Sequence, residues 1–588
     1  MGKYDDLPLA DRGPIKVPYK GRALLNEPYY NKGTAFSHNE RHKLDLDGML
    51  PTNLQTLKQQ VDRAYEQYSE LETDLEKNTF MTSLQEQNLV LYFRVIQEHL
   101  KEMFSIIYTP TEGAAIENYS RVFRRADGCF LTIMHPDEVE NRLSKFVVPG
   151  ADDGGVDYIV VSDGEQILGI GDQGIGGILI SIAKLALTTI CAGVHPDRCL
   201  GVVLDTGTNN EKLLKDDLYL GVKQNRVRGK QYDEFVNSFV KSVKKLFPKA
   251  YIHFEDFGVH NARRLLNEYR GEHAVFNDDV QGTGCVTLAS VMAAAKLSDI
   301  KLGDLRVLSY GAGSAGTGIA EQIAAAVANN AGISKEDAKK QMFLVDKQGL
   351  LLDDDDSLSI AQKPFAHPAS KWSLSDDERK DLKTLIGKIK PHVLIGTSTN
   401  PGAFTEDAVR EMAKHVEHPI IFPLSNPTRL HEAKPEDLIK WTDGKAFVAT
   451  GSPFPPVKYN DKTYEIAECN NSVCFPGIGL GCVLGKTKLL SDGMLVAAVS
   501  ALADETPAVK QNDPTKELCP GVEQARDVSV KIAMGVLKQA AKENLLGVQN
   551  VPLDNDKELE EWVRAQMWDA SYRELVFEEG KGTAKTDS

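Results

Sequence analysis

The spacing of apolar positions changes twice along the chain. Residues 54–73 and 84–104 carry apolar side chains at helical intervals, the second through Leu84, Leu91, Val95, Leu100 and Phe104. The first hundred or so residues therefore predict polar loops followed by two helices. From about Asp157, short β-branched runs ending in Gly or Asp alternate with helical stretches, the pattern of a parallel sheet covered by helices. The strands predicted there are 158–162, 201–205, 251–254 and 274–276. A second alternating set follows Gly303, with strands at 305–310, 342–346, 393–397, 420–424 and 447–450. Between the sets, 282–297 is rich in small residues and reads as a helix joining two α/β domains. The aspartates 353–356 and the polar run to Lys380 read as surface insertions, and after about Leu490 the chain is helical again, then polar.

Composition narrows the function classes. The chain has 588 residues, 42% hydrophobic and 26% charged, which is ordinary for a multidomain globular protein. Its net charge of -16 is opposite in sign to that of proteins gripping a phosphate backbone, so neither nucleic acid nor membrane is expected as a partner. Eight cysteines, with no C-x-x-C pair and no zinc-finger spacing, predict reduced and mostly buried thiols. The N-terminus lacks a signal peptide's apolar core and is too acidic for a typical mitochondrial presequence. Charge-free stretches such as 280–295 fall short of the about 20 apolar residues of a spanning helix. The location expected from these features is cytoplasmic.

Candidate chemistry sits at the ends of the predicted strands. GAGSAG, with Gly311, Gly313, Ser314, Ala315 and Gly316, follows the strand LRVLSY and opens an alanine-rich helix at 317–329. That context makes it a dinucleotide-binding fingerprint, with a tight turn, close approach of a pyrophosphate and a helix N-terminus to meet its charge. Asp346 ends the next strand, where a carboxylate accepts ribose hydroxyls, and Lys347 follows it. A second glycine set, Gly169, Gly171 and Gly174, reads as a wall where backbone passes close to backbone or substrate. Strand AYIHF runs into Glu255 and Asp256, and strand AVF into Asn277, Asp278 and Asp279. Four carboxylates sharing one crevice call for a hard divalent cation, Mg²⁺ or Mn²⁺; the alternative is that each acid caps a helix. Lys184 lies in the apolar ILISIAKLALTTI, either snorkelling or buried as a base, and Tyr108 stands at a helix end beside a turn. Asn426 ends the strand IIFPL before Pro427, and Asn470 and Asn471 form a pair before FPG; asparagine at strand ends commonly makes turns.

IYTPTEG, DGEQILGIGDQG, FEDF, FNDDVQGTG, GAGSAG, PLSNPTRL, ATGSPFPPV and NNSVCFPGIGLG, in that order over roughly residues 107–481, resemble malic enzyme, of microbial or fungal type. The resemblance implies an α/β fold. It comprises a Rossmann-type NAD(P)-binding domain (282–485), a second parallel α/β domain for substrate and metal (116–281), and helical regions at 1–115 and 486–588. It implies oxidation of L-malate by NAD or NADP with Mg²⁺ or Mn²⁺, yielding pyruvate and CO2, decarboxylation of oxaloacetate, and a homotetramer built as a dimer of dimers. By the same resemblance Glu255, Asp256 and Asp279 are metal ligands, Lys184 is the base at the C2 hydroxyl and Asp278 a polarising carboxylate beside it. Tyr108 is the acid at C3, Asn426 and Asn471 contact substrate, and Asn470 lies near the nicotinamide. Animal-type members carry an arginine where this chain has Gln166, and a neutral amide does not reproduce a bidentate carboxylate clamp. Malolactic enzyme, which makes L-lactate and retains its cofactor, resembles that segment with its Gln and is the alternative reading. A non-catalytic nucleotide-sensing protein, the alternative from another class, would be expected to lose some of the catalytic residues, and all are present. Asp346 favours NAD, and Lys347 allows NADP as well. Gln87 stands where the animal mitochondrial form has one of its fumarate-binding arginines, so fumarate activation is not expected.

Overall fold

The computed structural model describes residues 3–4, 6–10, 12–426 and 428–579. They form two compact units, 1–248 with 561–588, and 249–560. Each is described by itself.

In the first unit the apolar run predicted as one helix over 84–104 is divided among Asp74–Gln87, Leu89–Glu98 and Leu100–Ile107. The break at Asn88 has a local cause. Its backbone is extended, and its side chain accepts the Leu91 N–H at 3.0 Å, ending one helix and capping the next. Strands Cys129–Thr132 and Tyr158–Ser162 flank Cys199–Asp205 in parallel pairings, the first of them not anticipated from the pattern. Helix Ile178–Ala192 covers this sheet and stops at Gly193, whose φ of 63° is the left-handed cap that glycine supplies without strain. With its preceding turn, the segment Gly174–Ala192 is long and apolar enough to cross a membrane by composition, yet 89% of its apolar window is buried inside the fold. It is a core helix. Strand Leu575–Phe577 pairs in parallel with Ile15–Val17 over a small core of Val17, Leu24, Phe36, Leu44 and Leu46.

The second unit carries the parallel pair Tyr251–Phe254 and Val275–Asn277 and a seven-stranded sheet. In spatial order that sheet runs Ala467–Glu468, Phe447–Thr450, Ile420–Pro423, Val393–Gly396, Val307–Tyr310, Met342–Asp346 and Gly349–Leu350, with only the last strand antiparallel. The chain moves outward from Val307–Tyr310 to Met342–Asp346 and then returns to its other side at Val393–Gly396. The order therefore reverses beside the first strand, which is where open α/β sheets collect ligands. The helices are legible in the packing of their glycines. On Phe475–Gly485, a Cβ at Gly477 would lie 2.7 Å from the Ile532 Cβ, and one at Gly481 2.7 Å from the Val536 Cβ. The GIGLG repeat thus lets this helix lie directly on Ala525–Lys542. The architecture is α/β, as the strand pattern predicts.

Candidate active site

In the first unit, Lys184 and Tyr108 come together. Lys184 is 2% exposed in the middle of helix Ile178–Ala192, and its Nζ lies 5.3 Å from the centroid of the Tyr108 ring. Tyr108 ends helix Leu100–Ile107, as predicted, and Phe104 meets it edge-on at 5.8 Å. The lysine is buried; it does not snorkel. The Tyr108 carbonyl accepts the Glu112 N–H at 2.9 Å. Burial pushes the Glu112 carboxyl up to about 8, against an opposing hydrogen bond from the Asn78 amide. Glu112, the acid within IYTPTEG, is buried, and the sequence alone assigns it no role.

The glycine-rich segment of the first unit behaves differently from its pattern. The close backbone passages occur at Gly164, where a Cβ would lie 2.1 Å from the Gly174 oxygen, and at Gly177, 2.8 Å from the Gly164 Cα. Gly169 and Gly171 instead face open space and supply positive φ, closing a loop bridged between Ile167 and Gly171. Only Gly174 of the predicted trio belongs to a crowded wall. Gln166 is exposed on this loop. The loop is pinned from below by Arg226, whose guanidinium forks onto both Asp172 oxygens at 2.6 and 2.8 Å and donates to the Asp163 carbonyl at 2.8 Å. Burial works to raise the Asp172 carboxyl, but the Arg226 fork outweighs it and holds the group below its ordinary value.

The acidic constellation lies in the second unit. Oxygens of Glu255, Asp256 and Asp279 all fall within 4.8 Å of one another. Asp256 adopts φ 52°, a left-handed conformation that Asp tolerates better than most residues, and its N–H donates to Asp279 Oδ2 at 2.9 Å. Asp278 and Asp279 open a π-helical turn, Asp278–Gly282, a form concentrated at functional sites. The capping alternative fails for both pairs: Asn277, not an aspartate, caps that turn, and helix Val259–Tyr269 begins at Gly258 with no side-chain cap. Gly282 is required by contact, since a Cβ there would lie 1.8 Å from Asp278 Oδ1. Asn471 donates to Asp278 Oδ2 at 3.2 Å, bringing two predicted residues together from distant segments. Asn470 does not share that contact. It caps the turn Asn471–Val473 and donates to Glu468, whose carboxyl burial raises. His253, missed in the sequence, is fully buried and lies 2.9 Å from Glu255 Oε2, fixing that carboxylate from behind.

On the seven-stranded sheet, Gly311 adopts φ 111° at the turn, and a Cβ at Gly316 would lie 1.9 Å from the Gly311 oxygen. Gly313 faces open space at the start of helix Ser314–Ala331, which includes Ser314 and Ala315, leaving the N-terminal N–H groups uncovered for an anion. Asp346 ends strand Met342–Asp346 as predicted, and its Oδ2 accepts from Gln362 at 2.8 Å. Gln362 also donates to the Ala312 carbonyl at 3.1 Å, so one amide joins the acid to the fingerprint turn. Lys347 is exposed beside it. Asn426 is exposed after strand Ile420–Pro423 and accepts a hydrogen bond from Ser452. The cysteines are free, as expected, and mostly buried.

Comparison with known proteins agrees with this geometry. Residues 85–270 match the malic enzyme N-terminal domain and residues 280–541 the malic enzyme NAD binding domain. The chain is 49% identical to the Saccharomyces cerevisiae protein named NAD-dependent malic enzyme, mitochondrial, over 97% of this chain and 85% of that one. It is 46% identical to the Schizosaccharomyces pombe NAD-dependent malic enzyme, over 97% of this chain and 100% of that one. Its fold superposes on the crystal structure of Entamoeba histolytica malic enzyme with a TM-score of 0.52 at 21% identity, covering 89% of this chain and 90% of that one. The Saccharomyces name overturns the cytoplasmic expectation. A missing apolar core speaks to secretion alone, and an acidic N-terminal stretch does not fix the compartment. Over nearly its whole length, then, the chain belongs to the malic enzyme family and is an enzyme.

Proposed function

We propose that the protein oxidises L-malate with NAD and Mg²⁺ or Mn²⁺, releases pyruvate and CO2, and also decarboxylates oxaloacetate. The convergence of Glu255, Asp256 and Asp279 oxygens within 4.8 Å carries the reading. Carboxylates that close repel one another unless a cation joins them, and an all-oxygen donor set fits a hard divalent ion. A metal held by Glu255, Asp256 and Asp279 would supply Lewis-acid stabilisation of the negative charge that develops on substrate oxygens. The uncovered helix N-terminus at Gly313 and the Asp346 carboxylate fit NAD, which supplies the hydride acceptor.

The chain's own residues then divide the proton transfers. Lys184 takes the C2 hydroxyl proton, and Tyr108 delivers a proton to C3 of the enolpyruvate after CO2 leaves. Their contact supports pairing a base with an acid of different basicity. Asp278, oriented by the Asn471 amide, polarises the base, and Gln166, Asn426 and Asn471 hold the substrate carboxylates. Asn470 lies toward the nicotinamide. Asp346 repels a 2′-phosphate, so NAD is preferred, while Lys347 lets NADP serve at lower kcat/KM. Residues 116–281 serve substrate and metal and 282–485 the dinucleotide, flanked by helical 1–115 and 486–588, in a homotetramer.

The test is purified protein with L-malate and Mn²⁺, run in parallel with NAD and NADP, following reduced cofactor and assaying pyruvate and lactate. Pyruvate stoichiometric with reduced cofactor is expected. Lactate without net cofactor reduction would instead mean malolactic chemistry at Gln166, and no turnover would leave a nucleotide-sensing protein.

A further inference from the structure

The proton and metal chemistry gives no role to Glu432, yet its carboxylate is fully buried among the loops that carry the cofactor turn and Asn426. One oxygen, Oε1, accepts from the Ser398 N–H and Oγ, both at 2.9 Å, and from Ser425 Oγ at 2.5 Å. Ser425 Oγ in turn accepts the Thr399 N–H at 2.9 Å. Ser398 and Thr399 follow strand Val393–Gly396, and Ser425 follows strand Ile420–Pro423 immediately before Asn426. The neighbouring Thr397 donates to the Gly311 carbonyl at 2.9 Å, at the strand-order reversal. A hydrogen-bonded path therefore runs from the fingerprint turn, through residues 397–399 and Glu432, to the residue beside Asn426. The adjoining strand is shaped for it: a Cβ at Gly396 would lie 2.5 Å from Glu432 Oε2.

We propose that Glu432 is a positioning residue that sets the dinucleotide turn and the Asn426 loop in one register through Ser398 and Ser425. The inference rests on the reading of Asn426 as a substrate contact. Hydrogen bonds to a carboxylate are stronger than those between neutral groups, so a single buried acid can hold two loops whose backbones share few bonds. The Ser398 arm serves the dinucleotide and the Ser425 arm serves malate.

The experiment compares the full-length wild type with Ser398→Ala, Ser425→Ala, Glu432→Gln and Asn426→Ala. Readouts are the NADH dissociation constant from its fluorescence without malate or metal, malate KM and kcat at saturating NAD, and melting temperature. Ser425→Ala should lower kcat/KM for malate about tenfold and leave NADH binding unchanged, the size expected for one lost bond to a charged group. Ser398→Ala should weaken NADH binding by about the same factor with malate kinetics preserved. Glu432→Gln should do both. If Glu432→Gln does not fold, the split between the two serine variants decides the matter. The proposal is overturned if both serine variants leave both parameters at wild-type values, or lower them in parallel with the melting temperature. Normal malate kinetics in Asn426→Ala would sink the role of Asn426 itself and the inference with it. Impaired Asn426→Ala beside normal serine variants would sink the inference alone.

Discussion

At the scale of single residues, burial sets the character of the first unit's ionisable groups. Lys184 is nearly sealed in a helix that carries no other charge, and a phenol ring receives it. Lys184→Ala should lower kcat by at least about 100-fold, the usual scale for losing a positioned general base, with NADH binding unchanged. Stopped-flow and equilibrium fluorescence measure the two separately, and an unaltered kcat would remove Lys184 from proton transfer. Glu112 gives a prediction of opposite kind, on stability. Its folded-state value of about 8 lies above the ordinary 4.5, so as pH rises the folded chain keeps this proton after the unfolded chain has lost it. The penalty is absent below about pH 4.5, grows by about 1.4 kcal/mol per pH unit up to about pH 8, and then levels off. Glu112→Gln keeps the acceptor for Asn78 and removes the titration. The variant should melt above wild type at pH 8 and alongside it at pH 5; an equal shift at both pH values would show that burial of Glu112 is not what titrates.

At the scale of elements, the loop that carries Gln166 is held by charge as well as by the buried Ile167 side chain. The Arg226 side chain is 1% exposed, and its fork onto Asp172 and its bond to Asp163 tie both ends of that loop. Arg226→Ala leaves the largely buried Asp172 carboxylate with hydrogen bonds from the Thr208 hydroxyl and the Asn209 N–H but without its cation, and should cost about 3–5 kcal/mol, read as a lowered urea midpoint. Arg226→Lys retains the charge without the bidentate geometry and should fall between the two. An alanine variant as stable as wild type would mean that solvent serves Asp172 equally well. The pairing joins residues 54 apart in sequence, and nothing local marks it. The same division explains what was legible. The Gly311 turn, Asp346 at its strand end and the Glu255–Asp256 pair after AYIHF all follow from short-range pattern. The break at Asn88 turned on that one side chain, whose capping outweighed a continuous apolar stripe, and a second break falls at His99. Strand Cys129–Thr132 went unanticipated because what makes it a strand is its pairing with Cys199–Asp205, far along the chain. Gln362 and Glu432 act through partners that folding brings to them, whereas His253 meets Glu255 only two residues on.

At the scale of the whole molecule, one surface of the first unit is more apolar than a finished exterior needs. Val122, Phe123, Leu218 and Leu220 are exposed by 38%, 40%, 53% and 51%. Phe123 and Leu220 also line a groove of about 460 Å³ with Phe130, Leu131 and Ile175. Single exposed apolar residues are ordinary, but a cluster around an apolar groove marks a surface that another protein covers. If the chain forms the proposed homotetramer, a second copy of this chain covers that surface. In sedimentation, wild type should then run at four times the chain mass of 64.7 kDa. Phe123→Asp combined with Leu220→Asp places two charges where apolar contact is required, and should shift the protein to a smaller species without lowering its far-ultraviolet helical signal. Both residues lie at the surface of the isolated chain, so a loss of assembly with the fold intact is the outcome that separates an interface from a core. A wild type that sediments as a single chain would overturn the tetramer. A charged variant that remains tetrameric would move the interface to another face.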